Sequence, residues 1–169
     1  MAKKPEIICE IINDVRRIFQ VVHEHSKRAK RETGLTGAQL WAIKTIAEEK
    51  EAKVSDLARR MYLHPATVVG ILNRLEKMNL VERNRKDADR RIVRVTLTDR
   101  GQAIVKGSPA VAQGMLASGL EPLTVKRLQN LAEGLSDLVR ILGAEELPPR
   151  LILSTELNVP EPRKIESQA

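Results

Sequence analysis

From Pro5 to about Arg31, apolar residues recur at Ile7, Ile8, Ile11, Ile12, Val15, Ile18, Phe19 and Val22. Steps of three and four place them on one stripe, which predicts a long amphipathic helix. Gly34 ends it, and Thr36 is the expected N-cap of a second helix through Leu40, Trp41, Ile43, Ile46 and Ala47. The polar run Glu48 to Lys53 reads as a helix end and a connection. Ser55 then caps a short helix to Met61, and Tyr62-Leu63-His64 makes a tight connection. Pro65 suits the first turn of the next helix, where its missing N–H costs nothing. That helix runs to Met78 with Val68, Ile71, Leu72 and Leu75 as its buried stripe. Asn79 stands where a left-handed terminating residue is expected.

The period then falls to two. Val81 to Arg85 and Ile92 to Leu97 flank the charged loop Lys86 to Arg91, the pattern of a β-hairpin. Thr98 is a good N-cap for a helix to about Lys106, before Gly107-Ser108-Pro109. A stretch around Val111 to Leu116 follows, then a break at Gly119–Pro122. Thr124 opens the last strong helix, striped by Val125, Leu128, Leu131, Leu135, Leu138, Val139 and Leu142. Pro148, Pro149, Pro160 and Pro162 mark a tail with the composition of a flexible segment, whose apolar Leu151-Ile152-Leu153 is a candidate to dock on a neighbour.

Two helices followed at once by a basic hairpin is the order of a winged helix-turn-helix. The expected fold is therefore mainly α with a small β-hairpin wing (α+β). A dimerisation helix over 5–33 precedes a DNA-binding unit over 34–100. Dimerisation helices over 101–144 follow, and then the Pro-containing tail over 145–169. The first and last stripes exceed what such a small domain needs to cover itself, which points to a homodimer.

Composition sharpens this picture. Aromatic residues are only 2% of the chain, so aliphatic side chains must fill the core, as suits helix packing. No apolar run approaches the roughly 20 residues that cross a bilayer, and the first residues lack the pattern of a secretory signal. With the single cysteine, Cys9, this leads us to expect a cytoplasmic protein with no membrane partner. Of the net charge of +7, twelve Lys or Arg against six Asp or Glu lie between Lys53 and Arg100. The positive field sits on the predicted winged helix, and double-stranded DNA is the natural polyanion partner.

The major groove admits one α-helix, and bases are read there by side chains reaching their edges. The helix from Pro65 begins with small residues, Ala66 and Thr67, that allow close approach. Val69, Gly70, Asn73 and Arg74 share its predicted open face, and Asn73 and Arg74 have the donors to read bases or hold phosphate. Ser55, Arg59 and Arg60 on the preceding helix would meet the DNA backbone. Arg85, Lys86, Arg90 and Arg91 arm the wing, and a narrow minor groove favours arginine. Asp87 and Asp89 suit a different task, holding those arginines in place.

Leu57-Ala58, Ala66-Thr67-Val68, Arg74-Leu75-Glu76, Leu80-Val81-Glu82-Arg83, Asp87-x-Asp89-Arg90-Arg91 and Leu97-Thr98-x-x-Gly101 stand in one continuous order. In these residues the chain resembles the multiple-antibiotic-resistance-regulator (MarR) family over about residues 7–142. The resemblance implies a winged-helix homodimer joined by its terminal helices. It implies binding to inverted-repeat DNA, usually as a repressor released by a small phenolic or lipophilic ligand or by cysteine oxidation. The sequence departs from the family pattern at Asn79, where glycine is common, at His64, a weak N-cap, and at the apolar Val69-Gly70.

Other features have two readings. Cys9 lies where some members of the family carry a peroxide-sensing cysteine, but its isoleucine neighbours suit a buried interface thiol. Trp41 either lines an effector pocket between the dimer helices and the DNA-binding lobe or simply belongs to the core. His23 and His25, two apart on a helix, face different ways and predict no metal site. No Gly-rich phosphate loop, nucleophile elbow or triad supports an enzyme, and no cofactor is expected. The remaining classes are a ligand-responsive transcription regulator, a basic architectural protein of low sequence specificity, and a winged helix used as a protein-interaction module.

Overall fold

A computed structural model describes residues 3–84, 93–154 and 158. The chain opens with α1 (Lys4–Thr33), stopped at Gly34 in the left-handed conformation at φ 74°. Thr36 caps α2 (Gly37–Glu49), accepting the Gln39 N–H while the Gln39 side chain accepts from the Thr36 backbone. Next come β1 (Glu51–Lys53), α3 (Val54–Arg60) and α4 (Pro65–Lys77). Strands β2 (Val81–Asn84) and β3 (Arg94–Leu97) precede α5 (Asp99–Val105), α6 (Ala112–Leu120) and α7 (Val125–Ile141).

Two expectations are corrected. The connection after α2 contains β1, which pairs antiparallel with β3 through Ala52 and Val95, so the wing belongs to a three-stranded sheet ordered β1-β3-β2. Ala52 is buried by the pairing, and Glu51 meets Arg94 across it at 3.3 Å. Ser55 does not cap α3; Lys53 holds the N-cap position in extended backbone, because the edge strand runs straight into the helix.

The core lies around α2, which touches α1, α3, α4, α5, α6, β1 and β3. Leu40, Ile43 and Ile46 meet Leu57, Val68, Ile71, Leu72 and Leu75 there. Asn79, at φ 57°, turns the chain from α4 into β2 as expected. The joint between wing and α5 explains Gly101. Leu80 carbonyl accepts the Thr98 N–H at 3.1 Å, and a Cβ on Gly101 would lie 2.1 Å from that same oxygen. Thr98 meanwhile caps α5 by accepting the Gly101 N–H.

The outer helices are different. Ile8, Ile11, Ile12 and Phe19 of α1 are exposed, and α7 buries no residue in the single chain. Leu151, in the segment expected to seek a neighbour, is buried against the chain's own core.

Candidate nucleic-acid interface

Helix α4 is presented by its buried side. Val68, Ile71, Leu72 and Leu75 are fully covered, which turns Pro65, Val69, Asn73 and Arg74 outward. Ala66 and Gly70 are half-buried, and a Cβ at Gly70 would meet no atom within 4 Å, so that stretch stays low and open. Thr67 departs from the expected open face. It is buried, because it lies one turn before Ile71 and joins the inner stripe.

The helix start is better built than its sequence suggests. His64 lies in extended backbone as the N-cap, and its Nδ1 accepts the Ala66 N–H at 3.3 Å. Tyr62, at φ 50°, makes the sharp turn before it, and its hydroxyl donates to Glu121 Oε1 at 3.2 Å. The Glu121 carboxylate, accepting that hydrogen bond, pushes the Tyr62 phenol above the ordinary tyrosine value, with smaller contributions from burial and from the carboxylate charge.

Arg83, which the sequence reading left as a plain strand residue, fastens the wing to α4. Its Nη2 donates to the Val69 carbonyl at 3.3 Å and its Nη1 lies 3.8 Å from Glu76 Oε2. On α3, Arg59 pairs with Asp56 at 3.0 Å. Arg60 turns toward the end of α2 and pairs with Glu48 at 3.0 Å and with Glu49. Ser55 is exposed beside them. The wing residues Arg85, Lys86, Asp87, Asp89, Arg90 and Arg91 lie outside the described residues.

Between the turn that precedes α4 and the C-terminal helices, Trp41, Tyr62, Leu63, Leu116, Leu120 and Leu128 line a largely apolar cavity of about 580 Å³. Trp41 is half-buried, held by Gly114, whose missing side chain lets the indole come within 3.1 Å of the Cβ position. Cys9 is exposed on α1 in the single chain rather than buried, and its sulfur accepts from Asn13 Nδ2 at 3.6 Å. His25 Nδ1 lies 3.1 Å from the Ala110 carbonyl oxygen. Among the described residues, no group of three or more His, Cys, Asp or Glu is placed to hold a metal ion. No described helix is long and apolar enough to cross a membrane.

Residues 35–93, from the end of α1 through the wing, match the MarR family model. Over this span the chain carries a MarR-family domain. It is 26% identical over 146 residues to the HTH-type transcriptional repressor MdtR of Bacillus subtilis, covering 86% of this chain and 94% of that protein. It is 39% identical over 104 residues to the uncharacterized HTH-type transcriptional regulator YfiV of the same organism, covering 62% and 65%. Among solved structures, AbsC, a MarR family transcriptional regulator from Streptomyces coelicolor, superposes with a TM-score of 0.55. That match spans 86% of this chain and 99% of AbsC at 22% identity, and it shows the fold alone. The matched span holds α2, β1, α3, α4 and β2 and stops just before β3, and the two relatives named by sequence are named as regulators of transcription.

Proposed function

We propose that this chain is a homodimeric, sequence-specific DNA-binding regulator of transcription. In this reading it is a cytoplasmic repressor whose grip on an inverted-repeat operator is loosened by a small apolar or aromatic effector. The observation that carries it is the open face of α4, where Pro65, Val69, Asn73 and Arg74 point outward while the buried stripe and Arg83 fix the helix beneath them. This is the placement a major-groove helix needs. The basic charge concentrated between Lys53 and Arg100 gives that face its attraction for phosphate.

Dimerisation is supported by α7, which carries an apolar stripe yet buries nothing within its own chain, and by the uncovered isoleucines of α1. The sign of regulation leans on MdtR, named as a repressor. The effector is supported by the cavity at Trp41, which lies between α4's turn and the C-terminal helices.

The test is selection of bound fragments from the source genome, followed by salt titration against the selected and a random duplex. A steep salt slope with strong preference for the selected duplex is expected. Equal affinity for both identifies an architectural protein instead, and absence of salt-dependent binding identifies a protein-interaction module. Arg90→Ala with Arg91→Ala should cost about 1–3 kcal/mol and flatten the salt slope. Unchanged affinity and slope remove the wing assignment.

A further inference from the structure

The described part of the C-terminal segment lies across the molecule, in the cleft between α1 and the helix-turn-helix. Leu151 is 4% exposed and joins the main core. Arg150, Leu151 and Ile152 line the cavity at Trp41 on one side. On the other they line a second cavity, of about 980 Å³, facing Phe19, Val22 and His23. They are the wall between the two.

Two hydrogen bonds complete the seat. Asn158 N–H donates to the Pro149 carbonyl at 2.8 Å, closing the segment on itself. Asn158 Oδ1 accepts the His64 backbone N–H, also at 2.8 Å. His64 is the N-cap of α4, so the first residue of the proposed recognition helix is held from the far end of the chain. Neighbouring Tyr62 is held from the α6–α7 junction by Glu121.

We propose that Pro149–Ser154 with Asn158 is a built-in occupant of this cleft that positions the start of α4, and that an apolar ligand loosens DNA by displacing it. The proposal rests on the reading of α4 as the DNA-contacting helix. Leu151 fills an apolar site, and a ring burying itself there needs the same volume. The cavity at Trp41 gives the ring a first foothold beside Leu151, and close packing lets it go deeper only where Leu151 gives way. The tethered segment competes at high effective concentration, so a ligand succeeds only through tighter contacts with the emptied cleft. Once the segment leaves, the His64 N–H loses its acceptor, and the turn before α4 keeps the Tyr62–Glu121 bond and the Leu63 N–H to Ala58 carbonyl bond. A helix start that must be re-ordered on meeting DNA binds it less tightly. Asn158 is a positioning residue here.

The experiment uses the full chain and a duplex selected from its genome, with Leu151→Ala, Asn158→Ala and Asn158→Asp. Anilinonaphthalene sulfonate serves as the apolar probe. Leu151→Ala and Asn158→Ala should each lower duplex affinity about threefold to tenfold while oligomeric mass stays as in the wild type. Asn158→Asp keeps an acceptor oxygen and should restore it. Leu151→Ala should bind the probe more strongly, and the probe should weaken duplex binding in the wild type more than in that variant. The amide of His64 should exchange with deuterium faster in Asn158→Ala and return to the wild-type rate in Asn158→Asp. Wild-type affinity in both alanine variants, or wild-type exchange at His64 in Asn158→Ala, overturns the proposal. A wild type that binds no duplex removes the DNA reading and the displacement step with it. The His64 amide then still decides whether the segment holds the helix start.

Discussion

The inner helix α4 and the outer helix α7 carry similar apolar stripes and meet opposite fates. In α4, Val68, Ile71, Leu72 and Leu75 are sealed by α2, α3 and β2. In α7, Leu131 and Leu135 remain 43% and 49% exposed, alongside the isoleucines of α1 at similar values. A stripe specifies which face of a helix is sticky, and the surrounding chain decides what covers it. The inner stripes complete a domain, whereas the outer ones remain surface, which the proposed dimer would cover. Under that proposal, affinity for a two-fold DNA site would depend on a region away from the proposed DNA-contacting helix.

The most severe way to break this comparison is to charge the outer stripe. Ile11→Glu combined with Leu135→Glu should leave the winged helix folded but monomeric by light scattering, and should abolish most affinity for a two-half-site duplex. Each aliphatic side chain lost from an interface forfeits about 1.5–3 kcal/mol. A dimer of undiminished DNA affinity would mean that these stripes are covered in some other way.

A smaller effect is expected at the joint of the inner region. Gly101→Ala forces a methyl group onto the Leu80 carbonyl, and overpacking against backbone costs about 1–3 kcal/mol. Denaturant unfolding should show the loss with dimerisation intact, and a midpoint equal to that of the wild type would contradict the tight joint.

The mildest test concerns the contact between the two regions. Tyr62 is the only tyrosine, so its ionisation can be followed by absorbance without assignment. Its phenol should titrate above the ordinary tyrosine value, and Glu121→Gln should bring the midpoint down. Because the folded-state value is raised, the contact's contribution is complete below the ordinary tyrosine range and disappears as pH climbs through the raised value. Identical midpoints in the two proteins would dissolve the Tyr62–Glu121 link.

Much of this architecture was legible because its signals are local. Thr36, Thr98 and Thr124 announce their helices, and all three accept the backbone N–H that an N-cap should. Strand β1 was not legible, since Glu51-Ala52-Lys53 has no apolar alternation and becomes a strand only through β3. Thr67 follows its spacing rather than its polarity: four residues before Ile71 it shares the inner face, although a polar residue beside a clear stripe reads as outward. Gly101 was visible as part of a pattern, but its reason, the Leu80 carbonyl, belongs to the packed joint. The Asn158–His64 bond joins positions 94 residues apart, and nothing near either residue hints at the other.

Helix α2 imposes a different kind of constraint, on how this sequence can vary. It is thirteen residues long and borders nearly every other element, with Ala38, Ala42, Leu40, Ile43 and Ile46 all fully packed. A change of volume at any of them is felt by several neighbours at once. Paired substitutions there should depart strongly from the sum of their separate effects. Exposed polar positions on α7, such as Lys126 and Glu133, share fewer neighbours and should tolerate revision one at a time. Drift in this protein would therefore run fastest around its rim, with α2 changing only in concert with the elements that surround it.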